Sequence, residues 1–208
     1  RKAAAKGFEI LPPGVRYRIR RAMGRTGNIP VGQVDFGSFD TTEPVSRDFG
    51  FDRGLPVDRF YIERFLSGHD AKIRGRVLEI GDAAYSRRFG TGITRQDVLH
   101  VTPGAPEATI IGDLCDPSVL PGDTFDCMIL TQTIHLIYDM SQAVRQSYRA
   151  LRPGGTVLAT VPGITPVDHG EWGGTWYWSL TALAAKRLFA DVFGADAVEG
   201  EAHGNVYA

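Results

Sequence analysis

The sequence predicts a doubly wound α/β fold, in which a mostly parallel sheet is covered by helices on both faces. Short apolar segments alternate with segments of helical periodicity after residue 55, a pattern typical of βαβ units. Several of the apolar segments run directly into glycine or proline, as strands that end in loops do. The 208 residues, 43% of them hydrophobic, are enough to bury one sizeable core.

The chain is predicted to have two parts, residues 1–54 and residues 55–208. The first part is an irregular arm rich in loop-forming residues, with a short cationic helix candidate at residues 15–23. The second part is the α/β domain, and its first helix follows Pro56, a residue suited to a first helical turn. Gly68 ends that helix.

The remaining elements follow from short apolar runs and helical spacing. The predicted strands cover residues 76–80, 98–101, 108–111, 125–130 and 156–161, and the predicted helices cover residues 140–151 and 181–193. The Pro153-Gly154-Gly155 segment ends the first of these two helices. Strand-like residues are expected after Ala197.

Composition argues against several classes of protein. The formal net charge of -1 favours neither nucleic acid nor an anionic lipid surface as a partner. No apolar stretch approaches the length of a membrane span, and no signal-peptide pattern is present. The two cysteines, Cys115 and Cys127, form neither a disulfide framework nor a zinc motif. We therefore expect a cytoplasmic protein without a metal site.

The loops after the predicted strands carry candidate ligand contacts. In parallel sheets, ligands bind beyond the carboxyl ends of the strands, at the point where the strand order reverses. Gly81 follows the first strand, where glycine lets a ligand approach the backbone closely. Asp113 follows the third strand, and its carboxylate can accept a hydrogen bond from an exocyclic amine such as that of adenine.

These motifs resemble class I S-adenosylmethionine-dependent methyltransferases over roughly residues 56–208. The segments that carry the resemblance are residues 77–81, 112–114, 125–126, 131–135 and the Leu-Arg-Pro-Gly-Gly run at 151–155. A narrower resemblance is to methyltransferase domains found beside glycosyltransferases in bacterial glycan pathways. It lies in the segments 52–59, 78–85, 97–101 and 177–181, and it implies a possible glycosyltransferase partner.

The resemblance implies S-adenosylmethionine as cofactor and assigns a role to each matching position. Glu79 and Gly81 would flank the methionine end, Asp113 and Leu114 would hold the adenine, Thr131 and Gln132 would line the floor under the sulfonium, and Tyr61 and Tyr85 would cover the methionine moiety.

Two positions depart from the family pattern. The first loop reads Gly81-Asp82-Ala83, where the family usually has a second glycine. The acidic residue that usually ends the second strand and binds the ribose is replaced by His100, which can still hydrogen-bond a hydroxyl group. Asp97, which lies earlier in the strand, is the alternative ribose ligand.

Histidines are the candidate bases. Methyl transfer from a sulfonium mainly requires alignment of donor and acceptor, but a hydroxyl acceptor must also lose a proton. His135 follows the fourth strand and is the favoured base, with packing under the next helix as the alternative. His169 lies in an acidic loop and is either a second candidate or a solvent-facing turn residue. His203 is a candidate if the last strand folds back.

All three tryptophans fall in one predicted loop. The flat faces of Trp172 and Trp176 suit an acceptor that contains a sugar or another ring, whereas Trp178 is expected to anchor the following helix. The sequence therefore predicts an O-methyltransferase for a sugar, glycan or related small molecule. The alternative is a degenerate cofactor-binding domain that serves as a non-catalytic interaction module. A nicotinamide-dependent oxidoreductase is disfavoured because no Gly-x-Gly-x-x-Gly follows the first strand.

Overall fold

The structure is a computed structural model that describes Val15 and residues 46–164, 168 and 170–204. The chain divides into two units, Arg1–Gly54 and Leu55–Ala208. Most of the predicted helix at 15–23 lies outside the described residues. In the described end of the first unit, the Ser46 hydroxyl accepts hydrogen bonds from the N–H groups of Asp48 and Gly50, and a short 3₁₀ turn follows at Phe51–Arg53.

In the described part of the second unit, five strands form one parallel sheet. The strands are β1 (Gly75–Ile80), β2 (Ile93–His100), β3 (Ile110–Ile111), β4 (Phe125–Thr131) and β5 (Leu151–Thr160). Their order is β3-β2-β1-β4-β5. The chain therefore winds outward from β1 in one direction and then returns to the other side of β1. This order places a topological switch point between β1 and β4.

In the described part of the second unit, four α-helices precede, connect or follow these strands. They are α1 (Val57–Gly68), α2 (Ala84–Phe89), α3 (Met140–Ala150) and α4 (Ala182–Phe193). Helix α3 begins where the Asp139 side chain accepts the N–H of Gln142 at 2.9 Å, and α4 begins where the Thr181 hydroxyl accepts the N–H of Ala184 at 3.2 Å. Such caps satisfy backbone donors that the first helical turn leaves open.

The core has two layers, one on each face of the sheet. Adjacent residues of β4 alternate between the layers, since successive strand side chains point to opposite faces. Met128 and Leu130 pack with residues of α3 and α4, whereas Cys127 and Ile129 pack with residues of α1. The sheet is thus covered on both faces, and the predicted fold class is confirmed.

Several boundaries differ from prediction. Strand β2 begins at Ile93, earlier than predicted, and β3 contains only Ile110–Ile111. Strand β5 begins at Leu151 and runs through the Pro153-Gly154-Gly155 segment, because Leu151 already pairs with Phe125 before a register shift. Only Leu151 and Arg152 separate this segment from the end of α3.

The predicted strand after Ala197 is wrong for the described residues. Residues 195–197 form a 3₁₀ turn, and residues 198–204 have no strand pairing. A strand needs a hydrogen-bonded neighbour, and no described strand borders this segment. The predicted continuation at Val206 and Tyr207 lies outside the described residues. None of the helices in the described ranges is long and apolar enough to cross a membrane.

Candidate cofactor and acceptor site

The carboxyl ends of the strands bring most predicted cofactor residues to one edge of the sheet. Gly81 directly follows β1, His100 ends β2, Asp113 lies just beyond β3, and Gln132 directly follows β4. The switch point between β1 and β4 lies within this group, which is where open α/β sheets bind ligands.

The loop after β1 depends on glycine for its backbone conformation. Gly81 has φ of 88°, in the left-handed region that other residues enter at a cost. A Cβ at Gly81 would meet no atom within 4 Å, so the space above the backbone is open. The N–H of Ala83, where the family pattern has its second glycine, donates to the Glu107 carboxylate at 3.1 Å. That N–H is therefore already bonded.

Glu79 is buried and caps α2. Its two carboxylate oxygens accept the N–H groups of Tyr85 at 3.0 Å and Ser86 at 2.8 Å. Burial raises the pKa of Glu79, against the lowering effect of these hydrogen bonds. Glu79 thus holds in place the helix that follows the Gly81 loop. The resemblance to methyltransferases did not predict this structural role.

Asp97 does not reach the ligand edge. Its fully buried carboxylate accepts Arg76 Nε at 2.6 Å and Arg95 Nη2 at 3.0 Å. Burial alone would raise the pKa of Asp97, but the bonds from the two arginines hold it below its ordinary value. The alternative role of Asp97 as ribose ligand is therefore corrected, because both carboxylate oxygens are occupied by an ion pair within the sheet. His100 remains at the end of β2, with its Nδ1 engaged by Thr102.

Asp113 and Leu114 have different environments. Asp113 is exposed beyond β3, and one of its carboxylate oxygens accepts the N–H of Cys115 at 2.8 Å. This bond orients the side chain in a tight turn. The Leu114 side chain is instead buried in the core beside α3. An adenine contact by Leu114 would thus have to involve its backbone.

The end of β4 has an unusual backbone. Thr131 pairs with Thr160 in the last register position, and Gln132 then adopts φ of 48°. The Gln132 N–H donates to the carbonyl of Thr160 at 3.0 Å, which holds this conformation. Non-glycine residues in the left-handed region are uncommon and cluster at functional sites. No residue pattern around Gln132 predicts this backbone conformation.

His135 is buried in a 3₁₀ turn, Ile134–Leu136. Its Nδ1 has no hydrogen-bond partner among the residues that the structure describes, although buried polar groups usually have one. Desolvation lowers the pKa of His135 from 6.5 to about 4, so its ring is neutral at physiological pH. The His135 ring lies 4.8 Å from the Trp176 ring, measured between centroids.

The aromatic loop folds against the His135 turn. The N–H groups of Tyr177 and Trp178 both donate to the His135 carbonyl at 3.2 Å, and Trp178 Nε1 donates to the Ile137 carbonyl at 3.2 Å. Trp178 is therefore fixed ahead of α4, in line with its expected anchoring role. Trp172 is exposed in a turn closed by the Asp168 carboxylate. The predicted base His169 lies outside the described residues.

The two predicted covering tyrosines lie on α1 and α2. Tyr85 accepts a hydrogen bond from Arg59 Nη1 at 3.0 Å, which joins the start of α1 to the start of α2. The ring of Tyr61 stacks on His203, with centroids 5.5 Å apart and planes at 15°. The segment after α4 thus does fold back, and it brings His203 to Tyr61 instead of to His135. No cluster of metal-ligating side chains occurs within the described ranges.

Comparison with known proteins identifies a methyltransferase signature in the sheet. Residues 92–159, which span β2 to β5, match the family described as a methyltransferase domain. A comparison with curated proteins gave no match. The match supports the predicted enzyme class, a methyltransferase, with S-adenosylmethionine as its cofactor.

Several solved structures are similar to the chain. A protein from Bacillus subtilis is 21% identical, with a TM-score of 0.38, over 46% of this chain and 49% of its own. An S-adenosylmethionine-dependent methyltransferase from Mesorhizobium loti is 19% identical, with a TM-score of 0.38, over 50% of this chain and 53% of its own. A possible histamine N-methyltransferase from Thermotoga maritima is 16% identical, with a TM-score of 0.45, over 65% of this chain and 74% of its own. The chain thus spans about half the length of the first two.

Proposed function

We propose that residues 55–208 form a domain that binds S-adenosylmethionine and methylates an oxygen atom of a sugar, glycan or related small molecule. The observation that carries this proposal is the placement of Gly81, Asp113 and Gln132 at the carboxyl edge of the sheet, which contains the β1/β4 switch point, with residues 92–159 matching a methyltransferase domain. Residues 1–54 would be a separate arm.

The residues at this edge suit the parts of the cofactor. Gly81 leaves open space for the methionine end, and the exposed Asp113 carboxylate can accept the amino group of adenine. His100 offers an imidazole to the ribose hydroxyls. Thr131 and Gln132 would form the floor under the sulfonium. Tyr61 and Tyr85 would cover the methionine end from the side of α1 and α2.

The bound cofactor supplies a methyl group already activated by the positive sulfonium. The chain must then hold the acceptor hydroxyl in line with that methyl group. We assign the proton of that hydroxyl to Nδ1 of His135, a buried atom that the acceptor would reach only by displacing the groups that cover it. The hydroxyl oxygen would form the new bond to the methyl carbon as the carbon–sulfur bond breaks, and S-adenosylhomocysteine would leave. Because His135 is neutral above a pH of about 4, one of its ring nitrogens carries a lone pair at physiological pH, and the low pKa makes that nitrogen a weak base. His169 is a second candidate for this role.

We infer the chemical class of the acceptor from the aromatic loop. Trp176 lies against the His135 ring, and Trp172 is exposed in the same loop. Such faces suit the apolar side of a sugar ring. The resemblance to domains found beside glycosyltransferases adds a glycosyltransferase as a proposed partner. The two free cysteines argue for a cytoplasmic location.

A second candidate function is a non-catalytic interaction module. The observation that favours it is the bonded Ala83 N–H, because Glu107 occupies a backbone donor of the first loop that would otherwise be available to a cofactor. The two functions differ in whether the protein turns over cofactor.

Methyl transfer can be tested directly. The protein is incubated with methyl-labelled S-adenosylmethionine and a panel of sugars and glycans, and label in the acceptor is measured beside released S-adenosylhomocysteine. We expect acceptor-dependent label in the wild type and a loss of about 100-fold or more in His135→Phe, with Tyr148→Ala unchanged as a control on α3. Cofactor binding without any labelled acceptor would favour the interaction module.

A further inference from the structure

Two exposed tyrosines form an aromatic corner next to the His135 turn. Tyr138 is 71% exposed and Tyr177 is 49% exposed. Their rings are 5.4 Å apart and nearly perpendicular, at 74°, so two apolar walls meet at the corner. Tyr138 also lies 5.8 Å from the Trp178 ring. Such clustered exposed aromatic surface marks an interaction site more often than a purely structural feature.

The corner is held rigidly to the candidate base. The N–H of Tyr177 donates to the His135 carbonyl, and Trp178, which supports Tyr138, is fixed by its bond to Ile137. Tyrosine loses little conformational freedom on binding, because it has only two side-chain torsions. The corner is therefore preorganised at a constant position relative to His135.

The candidate base and the aromatic corner differ in their exposure to solvent. His135 is 2% exposed, whereas the tyrosines of the corner are among the exposed large side chains of the described residues. Trp176, the residue before Tyr177, lies beside the His135 ring. Because the candidate base is buried and the adjoining corner is exposed, a ring bound at the corner would be a different ring from the one held at His135.

The chemistry of the corner suits a pyranose ring. Each tyrosine offers an apolar face and a hydroxyl tip, and the exposed carboxylate of Asp139 adjoins Tyr138. One Asp139 oxygen caps α3 through Gln142. A sugar combines an apolar face with a rim of hydroxyl groups that such polar tips can bind. A flat, fully apolar ring would make no hydrogen bonds with the tyrosine hydroxyl groups of the corner.

We propose that Tyr138 and Tyr177 form a second subsite, which binds a pyranose ring next to the methylated one, so that the acceptor is an oligosaccharide or a longer glycan. This inference rests on the proposed function and narrows its substrate class. Tyr148 provides a matched control, since its ring also packs edge-on, 5.0 Å from Phe193, but on the α3 and α4 helices.

The test measures glycan binding directly. Ligand-observed NMR titrations compare linear tetrasaccharides of glucose, mannose, galactose and N-acetylglucosamine with the corresponding monosaccharides. We expect at least one tetrasaccharide to bind more tightly than its monosaccharide. Tyr138→Ala and Tyr177→Ala should each weaken the tetrasaccharide about five-fold, with little effect on the monosaccharide. Tyr148→Ala should change neither, and Tyr138→Phe should retain most of the affinity.

Two results would overturn the subsite: no tetrasaccharide binds more tightly than its monosaccharide, or Tyr148→Ala weakens binding as much as the corner variants do. S-adenosylmethionine binding is measured on the same samples. Cofactor binding without a tetrasaccharide preference removes only the second subsite. A tetrasaccharide preference without cofactor binding removes the methyltransferase function but leaves the subsite in place.

Discussion

The carboxylates within the sheet and at its amino edge have different partners from the carboxylate at its carboxyl edge. Asp97 pairs with Arg76 and Arg95. Asp126 accepts the backbone N–H of Arg76 at 2.7 Å and the side chain of Arg152 at 3.0 Å, and these bonds lower its pKa, with the backbone bond contributing most. Asp113, at the other edge, is exposed and is oriented by a local turn instead of by a cation.

The same contrast extends to the backbone and to neutral groups. The carboxyl edge contains the left-handed Gln132 and Nδ1 of His135, which has no hydrogen-bond partner among the described residues. A shallow cavity also opens at the amino edge, lined in part by Lys72, Arg74 and Asp126. The difference teaches that paired charge within the sheet and at its amino edge stabilises the fold, whereas unsatisfied polarity marks the edge that we assign to ligands.

The largest expected effect is the loss of a buried ion pair. Asp97→Ala leaves Arg76 without its partner in the sheet, and we expect the free energy of unfolding to fall by about 3 kcal/mol. Urea denaturation measures this change, with Asp113→Ala as the control that should stay within about 0.5 kcal/mol of wild type. Equal stability of the two variants would contradict the distinction between carboxylates paired within the sheet and the carboxylate at its carboxyl edge.

Loss of the α2 cap should cost somewhat less. Glu79→Ala removes the acceptor for the Tyr85 and Ser86 N–H groups, so we expect a loss of about 2 kcal/mol. Glu79→Gln retains one acceptor oxygen and should lose about half as much. Thermal and urea unfolding check both values. An unchanged Glu79→Ala variant would show that α2 needs no carboxylate cap.

Protonation of His135 should destabilise the fold at acidic pH. Its pKa is about 4 in the folded state against an ordinary 6.5, so the unfolded chain binds the extra proton first. Wild-type stability should therefore decline as the pH falls from 6.5 toward 4. His135→Phe should lack this part of the decline. Unfolding curves across this pH window provide the measurement, and identical pH dependence in both proteins would contradict the buried, neutral state of His135.

The smallest effect is the release of backbone strain at Gln132. Gln132→Gly should raise stability by up to about 1 kcal/mol, because glycine enters the left-handed region without penalty. Asp123→Gly is the matched control, since Asp123 has φ of 44° at the amino end of β4. Both variants should be slightly stabilised, but only Gln132→Gly should weaken S-adenosylmethionine binding in calorimetry. Equal cofactor affinity in the two would remove Gln132 from the site.

The sequence predicted the elements better than their long-range partners. Apolar runs located β1 and β4 closely, because buried parallel strands are continuously hydrophobic. The polar start of β2 was missed because its residues pair with Arg76 across the sheet, and periodicity carries no sign of such a contact. The same contact explains why Asp97 is not a ribose ligand, although its position near the end of the second strand made it a candidate. Tyr138 was missed because a lone tyrosine before a helix has no distinguishing pattern.

Calorimetric titration of S-adenosylmethionine into the wild type and Asp113→Ala tests the central claim most directly. We predict micromolar binding that Asp113→Ala weakens about ten-fold or more, which corresponds to the loss of one hydrogen bond to a charged group. Its unfolding curve should match that of the wild type. Equal affinity in the two folded proteins, or no binding to the wild type, would contradict a cofactor site at the carboxyl edge of the sheet.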